Sequence, residues 1–123
     1  MKKFKFYSLM LISTILIFSC DKPDALKKKA FLEIENNSSS HNITGVYYAN
    51  SGYGSNRISS NITPGSSKTF ELSAEDDYIY NIMVTTDNYN MSDYSNDDIH
   101  FYEDRRITVR LEDDYWDEYY PIK

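Results

Sequence analysis

The stretch YIYNIMVTT at residues 78–86 carries the clearest secondary-structure signal of the chain. Its apolar residues recur at every second position, which is the period at which side chains return to the same face of a β-strand. Aromatic and β-branched residues also pack well on the pleated surface of a sheet. The stretch therefore predicts a strand with one buried face. The residues predicted to share that face are Tyr78, Tyr80, Ile82 and Val84.

Shorter stretches on both sides of this one show the same alternation. In residues 32–35 two aliphatic side chains alternate with two glutamates, and in residues 107–111 three aliphatic side chains alternate with threonine and arginine. Alternation of apolar with polar residues is typical of a half-buried strand. Residues 57–62 predict either a short strand or an edge segment. Besides 78–86, strands are predicted at 32–34, 43–49, 57–62, 70–72, 99–101 and 107–111.

Turn-forming residues separate these stretches. Residues 36–42 are rich in Asn and Ser, and residues 87–98 predict a long polar loop. Pro64 and Gly65 fit the central positions of a type II turn, because proline presets φ and glycine supplies the positive φ needed next. About six to seven strands, spaced about 8–12 residues apart, predict an all-β fold. We expect a small antiparallel β-sandwich over residues 30–112, with a small closed barrel as the alternative.

The order of these motifs resembles that of a known class of modules. Between Leu32 and Val84 the chain has an Asn-Ser turn, the strand Val46-Tyr47-Tyr48 and a Pro-Gly-Ser-Ser turn. This order is similar to that of small immunoglobulin-like and other Greek-key modules of exported bacterial proteins. The resemblance implies a fold only, since one such fold hosts many unrelated functions.

The first twenty residues differ in kind from the rest. Three lysines within the first five positions precede an uncharged apolar stretch, residues 6–20, of about 15 residues. A positive start followed by a short apolar run is typical of a secretory signal peptide. The alternative is an uncleaved transmembrane anchor, but a spanning helix needs about 20 apolar residues. The pattern therefore favours a signal peptide at residues 1–19.

The end of the apolar run carries a second resemblance. Ile17-Phe18-Ser19-Cys20 resembles the bacterial lipobox, although Phe18 is bulkier than is usual at its position. The resemblance implies that lipid is attached to Cys20, that residues 1–19 are removed and that the chain is a membrane-anchored lipoprotein of the cell envelope. We expect the outer membrane or the cell surface rather than the inner membrane. Residues 20–29 then form a tether, which reaches about 30 Å when extended.

Cys20 is the only cysteine of the chain, so the predicted domain has no disulfide. An unpaired cysteine in an exported protein calls for an explanation, and the lipobox supplies one. The alternative is a chance cysteine at the end of a signal peptide. Two or three acyl chains on one residue would make membrane attachment essentially permanent.

The charge of the chain excludes some partners. The formal net charge is −6, and removal of residues 1–19 takes away three lysines and no acidic residue. An acidic protein lacks the cations that neutralise phosphates, so we expect no nucleic-acid partner. Residues 27–29 are three consecutive lysines, which we interpret as a solvated linker or as a contact to anionic lipid headgroups.

Signatures of catalysis and metal binding are scarce. The sequence has no Gly-x-Ser-x-Gly, no His-Glu-x-x-His and no phosphate-binding glycine loop. His41 lies in a polar turn, and His100 is predicted on the outer side of a strand. The acidic loop 87–98 offers oxygen ligands for calcium but lacks the glycine and the closing glutamate of an EF-hand. We therefore predict a protein that is not an enzyme and holds no cofactor or metal.

The C-terminal residues 113–123 combine aromatic and acidic side chains. Exposed Tyr and Trp suit recognition, because they offer large and rigid contact surfaces. The alternative is that this tail folds back over one edge of the sheet. Our first hypothesis is a binding or adhesion module for an envelope protein or glycan. The second is an envelope inhibitor or immunity-type protein that blocks an enzyme, and the third is a hydrolase. The predicted binding residues are Tyr115, Trp116, Tyr119 and Tyr120.

Overall fold

The computed structural model of the chain describes residues 27–75 and 78–120. Two packed sheets, one of four strands and one of three, form a β-sandwich, as the alternation predicts. Within these residues no helix is long and apolar enough to cross a membrane. The strands are β1 Lys29–Asn36, β2 Ile43–Ala49, β3 Ser67–Ser73, β4 Ile79–Thr86, β5 Tyr94–His100, β6 Arg106–Leu111 and β7 Trp116–Tyr119.

The four-stranded sheet has the order β3-β1-β6-β7, and the three-stranded sheet has the order β2-β4-β5. Every pairing is antiparallel except that of β1 with β6, which run parallel with Phe31 opposite Arg106. Consecutive strands mostly alternate between the sheets, and only β4–β5 and β6–β7 are neighbours both in the chain and in a sheet. The architecture is thus a sandwich whose first and sixth strands meet in the middle of one sheet.

The core is a single cluster of apolar side chains from the inner faces of both sheets. Each strand buries alternate residues because successive side chains of a strand point to opposite faces of the sheet. Tyr80, Ile82 and Val84 of β4 are buried as predicted. Tyr78 is not, because it precedes β4 and lies at the edge of the core with 39% of its surface exposed.

The predicted loop at residues 87–98 is wrong in its second half, where β5 begins at Tyr94. A β-bulge in β5 explains the missed strand. Between Tyr80 opposite Ile99 and Ile82 opposite Asn96, β5 has one residue more than β4. Asp98 adopts a φ of 61° within this bulge. The extra residue interrupts the two-residue period. The alternation of Ile99 and Phe101 therefore does not continue toward the N-terminus as far as Tyr94.

Residues 57–62 form an edge segment rather than a strand. Isolated bridges join Asn56 to Tyr47 and Ile62 to Ile43, so the segment follows β2 without a continuous ladder. Ile58 and Ile62 are buried in the core. The segment therefore covers the side of β2 that β4 leaves open.

The strand directions give the sandwich two distinct ends. The N-terminal end is where β1 begins and β7 ends, and it carries the turn at residues 101–105. The opposite end, called the distal end below, carries the loops 37–42, 63–66, 87–93 and 112–115. Lys29, the first residue of β1, lies at the N-terminal end.

Gly45 lies at a register shift in β2 and gives a first testable prediction. A Cβ atom at this position would lie 2.7 Å from Cε1 of Tyr47 and 2.8 Å from Oγ1 of Thr85. Both distances are shorter than van der Waals contact, so Gly45→Ala must displace both the Tyr47 ring and the Thr85 hydroxyl. We expect a loss of about 1–3 kcal/mol in the free energy of unfolding, measured by urea denaturation.

A second substitution separates this steric cause from a change in backbone entropy. In a Tyr47→Ala background the ring is absent, so Gly45→Ala should cost clearly less than it does alone. An equal cost in both backgrounds would contradict the steric explanation.

Candidate functional site

The predicted lipid attachment residue, Cys20, and the signal peptide lie outside the described residues. Lipid attachment therefore stays a prediction. The four predicted binding residues near the C-terminus all lie within the described part of the chain. They do not form one patch, because β7 sends successive side chains to opposite sides of its sheet.

Trp116 packs inward rather than standing free. Its ring lies 6.0 Å from that of Tyr94, and it covers the edge of the hydrophobic core. Its indole Nε1–H donates a hydrogen bond to the Ser92 carbonyl oxygen at 2.9 Å. Trp116 therefore joins β7 to the loop that precedes β5 and offers only part of its surface to a partner.

Tyr119 and Tyr120 are held by neighbouring arginines on opposite sides of β7. The Tyr119 ring lies 4.5 Å from the guanidinium of Arg110, which also donates to its hydroxyl at 2.8 Å. The Tyr120 ring lies 5.1 Å from the guanidinium of Arg105, and its hydroxyl donates to Glu118 at 3.1 Å. Both side chains are partly exposed, but each is part of a local polar network.

Tyr115 lies apart from these residues, at the distal end, with 54% of its surface exposed. The loop 87–93 at the same end carries Tyr89, which is 97% exposed. A tyrosine without packing contacts is unusual, because its ring is large and mostly apolar. The sequence places Tyr89 in a loop, but nothing in its spacing separates it from the other tyrosines of the chain.

The loop that carries Tyr89 is braced from below. Asn88 is buried, its amide Nδ2–H donates to the Asp113 carbonyl at 3.1 Å, and its Oδ1 accepts from the Asn90 amide at 3.0 Å. Met91 packs against the core, and Ser92 accepts the Trp116 hydrogen bond described above. The loop thus presents an exposed ring from a backbone fixed on both sides.

The distal end is strongly acidic. The loops 37–42, 63–66, 87–93 and 112–115 contain the carboxylates of Asp87, Asp93, Glu112, Asp113 and Asp114 and neither Lys nor Arg. Ser39 donates to Asp113 from its backbone amide at 2.6 Å and from its hydroxyl at 2.9 Å. These two hydrogen bonds hold the pKa of Asp113 below its ordinary value.

The described residues do not assemble a metal site or a paired-histidine site. No group of three or more His, Cys, Asp or Glu in residues 27–75 and 78–120 could hold a metal ion. His41 faces Asp87 at 3.3 Å at the distal end, whereas His100 ends β5 at the N-terminal end. Clefts of about 220 Å³ beside residues 27–29 and about 200 Å³ beside Gly65 are both smaller than typical ligand pockets of about 300–1,000 Å³.

A hydrogen bond between the two sheets closes the side of the sandwich next to β7. Tyr94, which is buried in β5 rather than lying in a loop, donates its hydroxyl to Glu118 of β7 at 2.5 Å. Asn96 donates to the same carboxylate oxygen at 3.3 Å. Burial and the hydrogen bond to Glu118 together raise the pKa of Tyr94 well above its ordinary value.

This bond gives a prediction on stability and pH. Tyr94→Phe should cost about 1.5 kcal/mol in the free energy of unfolding near neutral pH, the lower end of the range for a bond to a charged group, since Glu118 is exposed. In the native chain this contribution is complete below the unfolded pKa of about 10 and is lost as pH rises toward the raised folded value. Urea denaturation at several pH values should show the two proteins converging above pH about 10. Parallel profiles would contradict the role of the bond.

The described residues thus place an exposed aromatic ring on a braced loop among acidic loops. The β-sandwich itself does not assign an activity, because unrelated functions share it. Comparison of the chain with protein-family models, with curated proteins and with solved structures gives no match.

Proposed function

We propose that this chain is a lipid-anchored protein of the cell envelope that binds a partner protein through its distal end and is not an enzyme. The observation that carries the binding proposal is the 97% exposure of Tyr89 on a braced loop. Tyr is among the residues that contribute most to binding energy at protein interfaces. A loop whose backbone is already fixed loses little backbone entropy when a partner covers the ring that it carries.

The charge of the distal end defines the partner further. Five carboxylates create a negative field around Tyr89 and Tyr115, and one of them, Glu112, is offset by Arg110 of β6 at 3.8 Å. Such a field attracts a basic surface and speeds its diffusional encounter. We therefore propose a partner with a basic contact surface, bound less tightly as salt concentration rises.

The membrane anchor is proposed from the lipobox at Cys20, and the position of β1 indicates at which end such an anchor would join the domain. This strand begins at Lys29, at the end of the sandwich opposite the loops that carry Tyr89 and Tyr115. Lipid on Cys20 would therefore leave the distal end facing away from the bilayer. The tether of about 30 Å would let the domain stand clear of the headgroups.

Intact mass of the membrane-extracted protein tests the anchor. We expect the loss of residues 1–19 and the addition of acyl mass, and a Cys20→Ser variant should lack both changes. An unmodified and uncleaved amino terminus in the native chain would refute the anchor without bearing on the distal end.

Site-specific photocrosslinking tests the binding surface. A benzoylphenylalanine residue at position 89, introduced in cells that express the native chain, should give one discrete crosslinked partner. The same probe at position 102 serves as the matched control, because Tyr102 is exposed at the N-terminal end. Identical crosslinks from the two positions, or none from position 89, would contradict the proposal.

The acidic distal end also favours a second candidate function, that of an inhibitor or immunity-type protein for a basic enzyme. Its carboxylates would cover a cationic active-site entrance, as opposite charges attract across an interface. The partner identified by crosslinking is purified in its free form, and adding the purified chain to it distinguishes the two functions. Loss of enzyme activity at a one-to-one ratio supports inhibition, and unchanged activity supports simple attachment.

A further inference from the structure

The four edge strands of the two sheets are not equally protected. A strand at a sheet edge presents a row of unpaired N–H and C=O groups, which a strand of another chain can join. Native proteins usually shield such an edge with a bulge, with charged residues, with a covering segment or by keeping the strand short. The edges are β2 and β5 of the three-stranded sheet and β3 and β7 of the four-stranded sheet. Among the described residues, three of these edges carry such a shield and the β3 edge does not.

The shields of β2, β5 and β7 differ in kind. Segment 56–62 covers the β2 edge, where the Val46 carbonyl accepts a hydrogen bond from the Arg57 amide at 2.7 Å. β5 is interrupted by its bulge, which carries two aspartates. β7 has only four residues, and the Asp117 carboxylate accepts a hydrogen bond from the Glu118 amide at 3.0 Å. Each of these features hinders continuous pairing with a further strand.

β3 is regular along its whole length. It covers Ser67–Ser73 and pairs with β1 without a register shift, and it contains neither proline nor glycine. Just beyond its two ends, the Ser66 carbonyl accepts from the Asn36 amide at 2.9 Å, and the Ala74 amide donates to the Lys28 carbonyl at 3.0 Å. Backbone groups alternate in direction along a strand. The even-numbered residues of β3 therefore bond to β1, and the odd-numbered residues direct their N–H and C=O groups away from it.

The odd-numbered residues of β3 leave an edge to which a strand can be added. Within the described part of the chain, nothing accepts a hydrogen bond from the backbone amides of Ser67, Thr69 and Glu71. The side chains of all three residues are exposed. The carbonyl of Ser73 is already occupied, because it accepts from the Tyr80 hydroxyl at 2.9 Å. We call Ser67, Thr69 and Glu71 the open edge, and their two-residue spacing matches the backbone groups of another strand.

We propose that the open edge pairs with the open edge of a second copy of this chain. An antiparallel pairing of two β3 strands centred on Thr69 sets Thr69 opposite Thr69 and, on both sides, Ser67 opposite Glu71. Each of these three pairs exchanges two backbone hydrogen bonds. Lys68 then lies opposite Phe70 of the second copy, and its Nζ already lies 5.8 Å from the Phe70 ring of its own chain. No charge of β3 meets a like charge directly across this pairing.

This self-complementarity favours a second copy over a strand of a different protein. β3 contains one lysine and one glutamate, so the strand itself has no net charge although the chain has a charge of −6. A two-fold pairing uses the same edge on both copies and therefore stops at two. The contact is confined to one strand, whereas a standard interface covers roughly 800 Å² on each partner, so we expect a weak dimer. The inference depends neither on Cys20 nor on the distal end.

Photocrosslinking between two tagged forms of the full chain tests this inference, because a covalent adduct traps even a weak dimer. The two forms carry different epitope tags and are expressed in the same cells, and one of them has benzoylphenylalanine at position 67. We expect an adduct of twice the mass of the chain that carries both tags. The same probe at position 95 is the matched control, since Ser95 is exposed on β5, whose edge is interrupted by the bulge.

Substitutions of Thr69 test the register, because this residue lies opposite itself. Thr69→Pro in both forms removes an amide that does not bond to β1, and it should lower the yield of adduct at least about tenfold through the loss of two central hydrogen bonds. Thr69→Lys in both forms sets like charges opposite each other and should lower the yield roughly two- to fivefold. Thr69→Lys in one form and Thr69→Glu in the other should restore the yield, which a loss of folding could not do.

Three results would overturn the inference. The first is the absence of an adduct with both tags from position 67, including the case in which this position crosslinks only to a different protein. The second is an equal yield of that adduct from position 95. The third is a yield that Thr69→Lys in both forms leaves unchanged, or that the Lys and Glu combination does not restore. Crosslinking from position 89 to the partner of the distal end is separate from all three, so the two proposals fail independently.

Discussion

Phe101→Ala is expected to cost about 3–5 kcal/mol in the free energy of unfolding, the largest effect of any substitution discussed for this chain. Phe101 follows β5 directly and is fully buried. Its ring meets that of Tyr80 edge to face at 5.3 Å, and Tyr80 in turn meets Tyr48 at 6.1 Å. Alanine would remove the ring from this row and leave a cavity between the sheets. Urea denaturation followed by far-ultraviolet circular dichroism measures the loss.

Tyr102 provides a control at the adjacent position. Its side chain is 43% exposed and stacks on Arg105 at 5.0 Å without entering the core. Tyr102→Ala should therefore cost no more than about 1 kcal/mol, close to the usual effect of a surface substitution. Domains of this size are stable by only about 5–15 kcal/mol, so Phe101→Ala also lowers the temperature at which the chain unfolds. Equal costs at the two positions would contradict the packing described for Phe101.

Trp116→Ala is expected to have the second-largest effect, a loss of about 2–3 kcal/mol, because the indole is only partly buried. The substitution removes the ring contact with Tyr94 and the hydrogen bond to the Ser92 carbonyl. The loop that carries Tyr89 is then held by the Asn88 hydrogen bond to Asp113 but no longer by Trp116. We expect weaker crosslinking from position 89 together with lower stability, measured on the same protein preparation.

A conservative variant separates support from direct contact. Trp116→Phe keeps an aromatic ring against Tyr94 but cannot donate to Ser92. It should retain most of the stability and lose part of the crosslinking from position 89. Trp116→Ala could instead abolish crosslinking from position 89 without any loss of stability. Trp116 would then contact the partner directly, as the sequence analysis predicts.

The two-sheet fold could be predicted from the sequence because the apolar residues of several strands, above all β1 and β4, alternate with outward residues. Ile107, Val109 and Leu111 of β6 are fully buried in the core. Of the two residues between them, Arg110 is partly exposed, whereas Thr108 lies buried against Glu33 of the neighbouring strand. A strand with one buried face leaves this two-residue period in the sequence. The strand predictions are confirmed where the residues that the alternation marks as apolar are also the residues that pack in the core.

Features that depend on distant partners left no comparable signal. The sequence predicts a loop instead of the first residues of β5, because this strand buries little beyond Tyr94 and Ile99 and carries Asp97 and Asp98 at a bulge. The parallel pairing of β1 with β6 is invisible in either strand, since a strand of this kind can pair in both directions. The order and direction in which the strands pair therefore cannot be predicted from the sequence of any single strand.

The candidate site shows a similar division. The aromatic residues near the C-terminus could be found by composition, but composition does not give the face on which each side chain lies. As part of β7, Trp116 turns toward the core and Tyr119 toward Arg110. Tyr89 could not be distinguished, because its exposure follows from the hydrogen bonds that brace its loop and not from its neighbours in the sequence.

The meeting of β1 and β6 in the middle of one sheet also has a consequence for how the chain folds. Glu33 and Glu35 find their partners Thr108 and Arg110 75 positions later in the chain. A sheet closed by such distant contacts has a high contact order, so its formation is slow relative to that of folds built from local contacts. Until the sixth strand has been synthesised, the first strand has an unsatisfied edge. The emerging polypeptide therefore cannot complete its four-stranded sheet before residues 106–111 have been synthesised.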